Sequence, residues 1–400
     1  MAENKDKKVL NVPNLRFSEF EGEWEEHYLS DYLDFKNGLN PKPERFGKGI
    51  RFISVMDILN NAVITNDCIR ASVDVSEEEL LSFCVENGDI LFQRSSETLE
   101  DVGRANVYMD NKPAVFGGFV IRGKKKAEYD PLFFRYLLAS PFARKKIIPM
   151  GAGAQHFNIG QEGLNKVKLH FALLDEQKKI ARLLSLLDER IAIQNKIIED
   201  LKKLKYAIIE REYTFKVQTH SHIGDFIEQN SNRNKDNIIQ NVLSVSNRQG
   251  FIRQREQFED RSIASNDTSN YKIVARNDFA FNPARINVGS IARLTTFEKG
   301  IVSPMYICFH TKNSILPEYL SFYFETKQFF SEIQKRLEGS VRQCLSYEGL
   351  CNIPFFPPVI EDQRRIGKRL FTLVQKFNLE MTFLEMLQKQ KTYLLRQMFI

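Results

Sequence analysis

Arginine, asparagine and glutamine side chains gather in four short segments of this 400-residue chain, each beside glycine, proline or serine. The first holds Gln93, Arg94, Ser95 and Arg104, and the second is Gly151-Ala-Gly-Ala-Gln155-His156. The third holds Asn282, Arg285, Asn287 and Arg293, and the fourth is Gly339-Ser340-Val-Arg342-Gln343. These are the side chains that read base edges: Arg pairs with guanine O6 and N7, and Asn or Gln with adenine N6 and N7. Glycine beside them lets a backbone approach a phosphate closely. Taken one at a time they are ordinary loop residues; as a set, together with Arg248, they are candidate contacts to double-stranded DNA.

Other chemistries find no residues to run them. Gly151-Ala-Gly lacks the Lys of a nucleotide-binding loop, and neither Gly-x-Gly-x-x-Gly after a strand nor His-Glu-x-x-His occurs. Asn282-Pro-Ala-Arg285 has the outline of the Asn-Pro-Pro-Tyr tetrapeptide of adenine methyltransferases but lacks its second proline and its stacking aromatic. The six histidines are dispersed, with His220 and His222 in a linker, and no metal ligand set is expected. The five cysteines, Cys68, Cys84, Cys308, Cys344 and Cys351, show no Cys-x-x-Cys spacing, which suits reduced thiols in the cytoplasm. Lys124-Lys125-Lys126 reads as a solvated turn in preference to a phosphate clamp.

The elements that hold these loops are duplicated. With position 131 laid on position 317, an offset of 186, Asp175-Glu-Gln-Lys-Lys-Ile180 falls on Glu361-Asp-Gln-Arg-Arg-Ile366. The same offset aligns Gly153 with Gly339, Glu162-Gly-Leu164 with Glu348-Gly-Leu350, and Leu201 with Leu387. Upstream, Asn87-Gly-Asp-Ile-Leu-Phe92 answers Arg276-Asn-Asp-Phe-Ala-Phe281, and Phe52-Ile-Ser-Val55 answers Val242-Leu-Ser-Val245. The loops diverge where the scaffold matches: Gln155-His156 faces Val341-Arg342, and Arg94-Ser95 faces Pro283-Ala284.

Each copy ends in a long helix. Ile180, Leu184, Leu187, Ile191, Ile198, Leu201 and Ile208 recur at three- and four-residue steps, as do Ile366, Leu370, Leu373, Phe377, Leu384, Leu387 and Leu394. Each run predicts a helix of about 37 residues, roughly 55 Å long. A stripe that narrow needs a partner, and the other copy supplies it as an antiparallel coiled coil. Gln194 and Glu380 interrupt the seam, either as a register-setting polar pair or, the simpler expectation, facing solvent. The expected fold is α+β: two mixed α/β recognition domains joined by two long antiparallel helices, a pseudo-twofold internal repeat. Its divisions are an N-terminal arm (1–21), a first domain (22–170), a central helical spacer (171–213), a second domain (214–356) and a C-terminal spacer (357–400). Such symmetry suits two DNA half-sites about a helical turn apart, near 34–36 Å.

Composition sets the outer limits. With 42% hydrophobic residues and 32 Phe the chain buries real cores, and no apolar run is long enough for a membrane span. The polar, lysine-rich Met1–Lys8 reads as a frayed arm and not as a secretion signal. Fifty-seven basic against 51 acidic residues leave +6, which permits a polyanionic partner without demanding one. A structural adaptor whose globular domains bind protein is the competing class, and a self-contained methyltransferase the third.

The arrangement resembles the specificity subunits of type I restriction–modification systems, which alternate two target-recognition domains with two helical regions. Asn11-Val-Pro-Asn-Leu-Arg-Phe-Ser-Glu-Phe20 with Trp24 resembles the start of Gram-positive members, and Asn87-Gly-Asp-Ile-Leu-Phe92 and the two Glu-Gln-Lys-Lys-Ile-type helix starts are typical too. The second copy departs in having Arg276-Asn-Asp278 where the first has Asn87-Gly-Asp89. The resemblance implies a non-catalytic chain that docks two methyltransferase subunits and then restriction/translocase subunits. S-adenosylmethionine, ATP and Mg would belong to those partners, with no cofactor in this chain. Gln177-Lys178-Lys179 and Gln363-Arg364-Arg365 are candidate matching docking surfaces, equally readable as solvated basic turns.

Overall fold

A computed structural model describes residues 10–214, 221–247, 249–254, 267–339 and 343–400. The chain divides into two compact units, Met1–Asn195 with Thr382–Ile400, and Lys196–Met381.

The first unit carries an antiparallel four-stranded sheet in the order Leu33–Asn37, Val120–Lys125, Ile90–Gln93, Ala105–Val107. The second unit repeats it as Ile227–Asn230, Ile307–Thr311, Phe279–Phe281, Ile291–Arg293. Each adds a second sheet with one parallel pair, Phe46–Ile53 on Ala114–Phe116 and Val242–Ser246 on Lys299–Val302. Ile90, Leu91 and Phe92 are all fully buried, as are Phe279, Ala280 and Phe281, which is why these strands read as unbroken apolar runs without alternation.

The turn before these strands explains how the two copies tolerate different sequences. Gly88 takes φ +92° and Asn277 φ +74°, the left-handed region that asparagine enters more readily than other side chains. Both backbone N–H groups then reach across, to Tyr108 O at 2.8 Å and Leu294 O at 2.9 Å. The following aspartates close the turn: Asp89 Oδ2 accepts from Glu86 N at 3.0 Å and Asp278 Oδ2 from Ala275 N at 2.9 Å. Burial holds both carboxyls above the usual carboxylate range despite these bonds.

After the sheet, Asp130 Oδ1 accepts from Phe133 N at 2.8 Å and Pro131 occupies the first helical position, so the Pro131–Ala139 helix starts as its sequence predicts. Its counterpart Pro317–Tyr323 opens after Leu316 with no side-chain cap. The lysine triplet is corrected: Lys124 and Lys125 end a strand, and all three meet carboxylates, Glu86 at 2.8 Å, Glu128 at 3.6 Å and Asp34 at 3.2 Å.

The two long helices run Leu174–Glu212, 39 residues, and Ile360–Gln397, 38 residues. In the first unit Ile180, Leu184 and Leu187 share a core with Leu387, Leu394, Met398 and Phe399. There Lys391 meets Asp188, and Arg190 lies 5.1 Å over the Phe383 ring, so the helices pass antiparallel. In the second unit Ile366 and Leu370 share a core with Ile209 and Tyr213. Arg369 reaches Glu212 at 3.1 Å and Lys202 lies 5.7 Å from the Phe377 ring, again antiparallel. Gln194 is buried, so the expectation that this seam position faces solvent fails; Glu380 accepts from Lys376 at 2.7 Å. No helix among the described residues is long and apolar enough to cross a membrane.

Each long helix is fastened to its own domain by one glutamine. Gln177 Oε1 accepts from Asp130 N at 3.0 Å while Nε2 donates to Ala172 O at 2.8 Å. Gln363 does the same with Leu316 N at 2.9 Å, Ser314 O at 3.3 Å and Pro358 O at 2.8 Å. At 3% and 1% exposure neither can dock a partner, and both are withdrawn from the docking surfaces. The reason is local: the amide satisfies N–H and C=O groups left over where one element ends and another begins. Their neighbours Lys178, Arg364 and Arg365 stay exposed. Lys179 pairs with Glu19 of the N-terminal segment and lies 4.7 Å from the Phe17 ring. In the first unit alone, Arg16 adds a two-pronged bond to the fully buried Glu176 at 2.7 and 2.8 Å, and Leu15 N donates to Gln397 O at 2.9 Å.

Two outcomes follow for thermal or urea unfolding of the full chain. Gln363→Ala strands the half-buried Leu316 N–H and should cost about 1–3 kcal/mol, whereas Arg364→Ala should stay within about 0.5 kcal/mol of the parent. Asn277→Gly should be neutral or stabilising and Asn277→Ala destabilising by about 1 kcal/mol, because only the latter puts an unassisted Cβ at positive φ. Equal melting of both Asn277 variants would show that the turn does not need the left-handed conformation.

Candidate nucleic-acid interface

The two loop segments of each copy are brought together by matching backbone bonds. In the first unit Ile159 N donates to Arg94 O at 2.9 Å, and Ser95–Ser96 pairs with Phe157–Asn158 as a short antiparallel ribbon. In the second, Leu345 N donates to Pro283 O at 3.0 Å, and Glu338 and Cys344 exchange bonds of 2.9 and 2.8 Å at the base of the fourth segment. Gly153 is required at its place: at φ +145° a Cβ would stand 2.0 Å from His156 O. The loop it tightens presents Gln155 and His156 to solvent.

The candidates then separate by burial. Arg94 is half-buried and its guanidinium donates to Gly118 O at 3.2 Å. Ser95 bonds Asn158, and Arg104 is half-exposed in a 2.6 Å pair with Asp101. Arg285 and Gln343 are exposed and Asn287 half-exposed. Three candidates prove to be framework. Gln93 is a strand residue, 5% exposed, with its amide donating to Ser95 O at 2.9 Å. Asn282 is buried and its Oδ1 accepts from Ala284 N at 3.1 Å, which shapes the loop carrying Arg285. Arg293 ends a strand with its guanidinium committed to Glu318. Arg248, Ser340 and Arg342 lie outside the described residues.

Beside these loops each unit has a cleft at the position of the Phe52–Val55 and Val242–Val245 match. In the first unit it is apolar, about 550 Å³, lined by Leu39, Phe46, Phe52, Val55, Met56 and Phe119 with Ser54 and Ser95 at its edge. Phe119 is 67% exposed there. In the second unit the cleft is polar, about 420 Å³, lined by Ser244, Ser246, Asn247, Asn282 and Arg285 with Tyr271 and Tyr306. A loop-centred reading missed Phe119, Met56, Tyr271 and Tyr306. A signal for the first was present in Gly117-Gly118-Phe119, since a Cβ at Gly117 would stand 2.7 Å from the Phe52 ring and one at Gly118 1.9 Å from Asn40 Oδ1. A side chain at Gly117 would press on the Phe52 ring, and the aromatic that follows the glycine pair is conspicuous.

What these surfaces can do is hydrogen-bond and contact base edges; the thymine methyl suits an apolar lining and purine edges suit Arg and Asn. Comparison with known proteins agrees. Residues 21–203 match the type I restriction modification DNA specificity domain. A putative type I restriction enzyme MjaX specificity subunit of Methanocaldococcus jannaschii is 24% identical over 421 residues, covering 96% of this chain and 94% of that one. The type I restriction enzyme EcoKI specificity subunit of Escherichia coli is 25% identical over 175 residues, 43% of this chain and 36% of that protein. The fold is shared with the S subunit of a type I restriction–modification system from M. genitalium, with TM-score 0.61, 16% identity and 97% and 99% of the two chains covered. A chain from a structure concerning complex assembly and conformational transition of the type I system gives TM-score 0.54 at 13% identity, with 93% and 96% covered. With its duplicated α+β units and paired loops, the chain carries a match to the type I restriction modification DNA specificity domain over residues 21–203 and is similar along nearly its whole length to a type I restriction enzyme specificity subunit.

Proposed function

We propose that the two units each read one half of a bipartite, asymmetric DNA site. The observation that carries this reading is the pair of clefts: one scaffold, built twice, presents an apolar lining in one copy and a polar lining with Arg285 in the other. Different linings select different bases. The half-buried Arg94 and Ser95 and the exposed Gln155 and His156 lie on the first unit's paired loops, and Arg285, Asn287 and Gln343 supply the second set.

In this reading the chain contributes recognition and no catalysis. Methyl transfer with S-adenosylmethionine belongs to two methyltransferase subunits, and ATP- and Mg-dependent translocation and cleavage to restriction/translocase subunits, all working in the cytoplasm. The exposed Lys178, Arg364 and Arg365 at the two helix starts remain the candidate docking groups. A solved structure of similar fold, described as concerning complex assembly of the type I system, is in keeping with a chain that works beside partner subunits.

Methylome sequencing of a host expressing the chain with its partner subunits gives both half-sites and the spacer at once. Arg285→Ala should relax one half-site only, costing about 1–3 kcal/mol at the base it reads, and Phe119→Ala should alter the other half-site only. Uniform weakening on all sequences would assign Arg285 to phosphate, and binding by the assembled complex that ignores salt would overturn DNA reading altogether.

A further inference from the structure

A second cleft of the first unit lies against the helices, and it gathers more cations than the ion pairs between its elements use. Four elements each deliver one cation to it. Arg104 precedes the Ala105–Val107 strand, Arg135 lies in the Pro131–Ala139 helix, Arg144 in the Pro141–Ile147 helix and Lys391 in the C-terminal helix. The cleft is about 420 Å³, inside the range of small-ligand sites.

Three carboxylates face these four cations. Asp188 is shared by Arg135, at 3.2 Å, and Lys391, and it also accepts from the Tyr136 hydroxyl at 2.9 Å. Asp101 pairs with Arg104 at the surface, and Glu100 lines the rim. Arg144 has no carboxylate. Its guanidinium donates to two carbonyls, Glu100 O at 2.9 Å and Val102 O at 2.6 Å, and its other terminal nitrogen is buried without an acceptor. Burial, and then the charge of Arg104, bring its pKa down to about 10. A guanidinium in that position is under-compensated, and an anion near it relieves the cost.

The duplicated position in the second unit shows that the scaffold does not require cations. By the offset of 186, Arg135 becomes Ser321 and Arg144 becomes Phe330, while Lys391 answers Lys205. The matching cleft there is lined by Phe322, Phe324, Phe330 and Phe371. Its two cations are neutralised one for one, Lys205 by Glu325 at 2.6 Å and Arg293 by Glu318. The first unit has Ala139 and Leu132 at the places of those two glutamates. On the same framework the first unit has arginines in place of Ser321 and Phe330 and apolar residues in place of both glutamates, with Asp188 standing where the second unit has Val374.

We propose that the cleft bounded by Arg104, Arg135, Arg144 and Lys391 binds a phosphate group, and that the equivalent cleft of the second unit does not. Arginine forks and an ammonium converging from four elements suit the oxygens of a phosphate better than a single carboxylate. The half-exposed Arg104–Asp101 pair is weak enough to exchange for it. The phosphate can be a DNA backbone phosphodiester, which rests on the reading above, or free inorganic phosphate, which does not.

The test is calorimetric titration of inorganic phosphate into the full chain at constant ionic strength. One site per chain is expected. Arg104→Gln and Arg144→Gln should each weaken it at least tenfold, while Lys145→Gln, which removes an exposed charge next to Arg144, should leave it unchanged. If Arg144→Gln fails to fold, Arg104→Gln decides alone, because its side chain is half-exposed. No saturable binding, two equal sites, or equal loss in Lys145→Gln would overturn the proposal, and DNA binding that persists beside any of these leaves the functional reading standing. The source is then read in the assembled complex. Displacement of phosphate by a duplex carrying the methylated site, with the salt slope smaller by about 0.9 in Arg104→Gln, identifies a backbone phosphate. Phosphate retained in the presence of that duplex, with the slope unchanged, identifies the free anion.

Discussion

A buried primary amide has to be bonded at both its oxygen and its nitrogen, and in this chain that requirement fixes where a long helix meets a sheet domain. Gln177 and Gln363 each tie three places with one side chain: the helix's own start, the segment that precedes it, and the N–H at the opening of the Pro131 or Pro317 helix. The loops that face solvent hang from the same short helices and strands. Their placement relative to the long helix of their own unit is therefore set by a few hydrogen bonds that no solvent molecule can replace cheaply. The same helices bury Ile180 and Leu184 in one unit's core and Ile366 and Leu370 in the other's.

Periodicity and repetition made the scaffold legible before any coordinates. Ile180, Leu184 and Leu187 fall in a core as their spacing requires, and the aligned Asp89 and Asp278 prove to close the same turn. The sequence could not separate a polar residue that is exposed from one that is bonded inward. Gln177 sits among lysines and reads like a surface residue, yet its amide is internal; Arg293 reads like a loop residue, yet it ends a strand and belongs to Glu318. Both errors have one origin: partners 47 and 25 residues away along the chain, Asp130 for Gln177 and Glu318 for Arg293, leave no trace in local pattern. The clefts were invisible for a similar reason, since Phe46, Met56 and Phe119 are brought together only by sheet pairing.

Duplication followed by divergence also has a plain energetic logic here. Positions that carry the framework tolerate change only when the replacement satisfies the same geometry, as Asn277 does where Gly88 stands. Cleft positions are freer, because a side chain facing water costs little to exchange. Aromatic residues in one copy and arginines in the other can therefore coexist on strands and helices that superpose in topology.

The closing of the first unit by residues from both ends of the chain has a kinetic consequence. Trp24 packs on Phe399, and Leu394, Met398 and Phe399 complete a core that otherwise lies between residues 24 and 187. The second unit draws on one continuous stretch, Lys196–Met381. During synthesis the second unit has all its parts first, although its chain emerges later, while the first waits for the last helical turn with part of its apolar surface uncovered. Contacts spanning nearly the whole chain are slow to form and leave that surface exposed to chaperones or to misassembly in the interval. The order in which the molecule is made is thus not the order in which it can be finished.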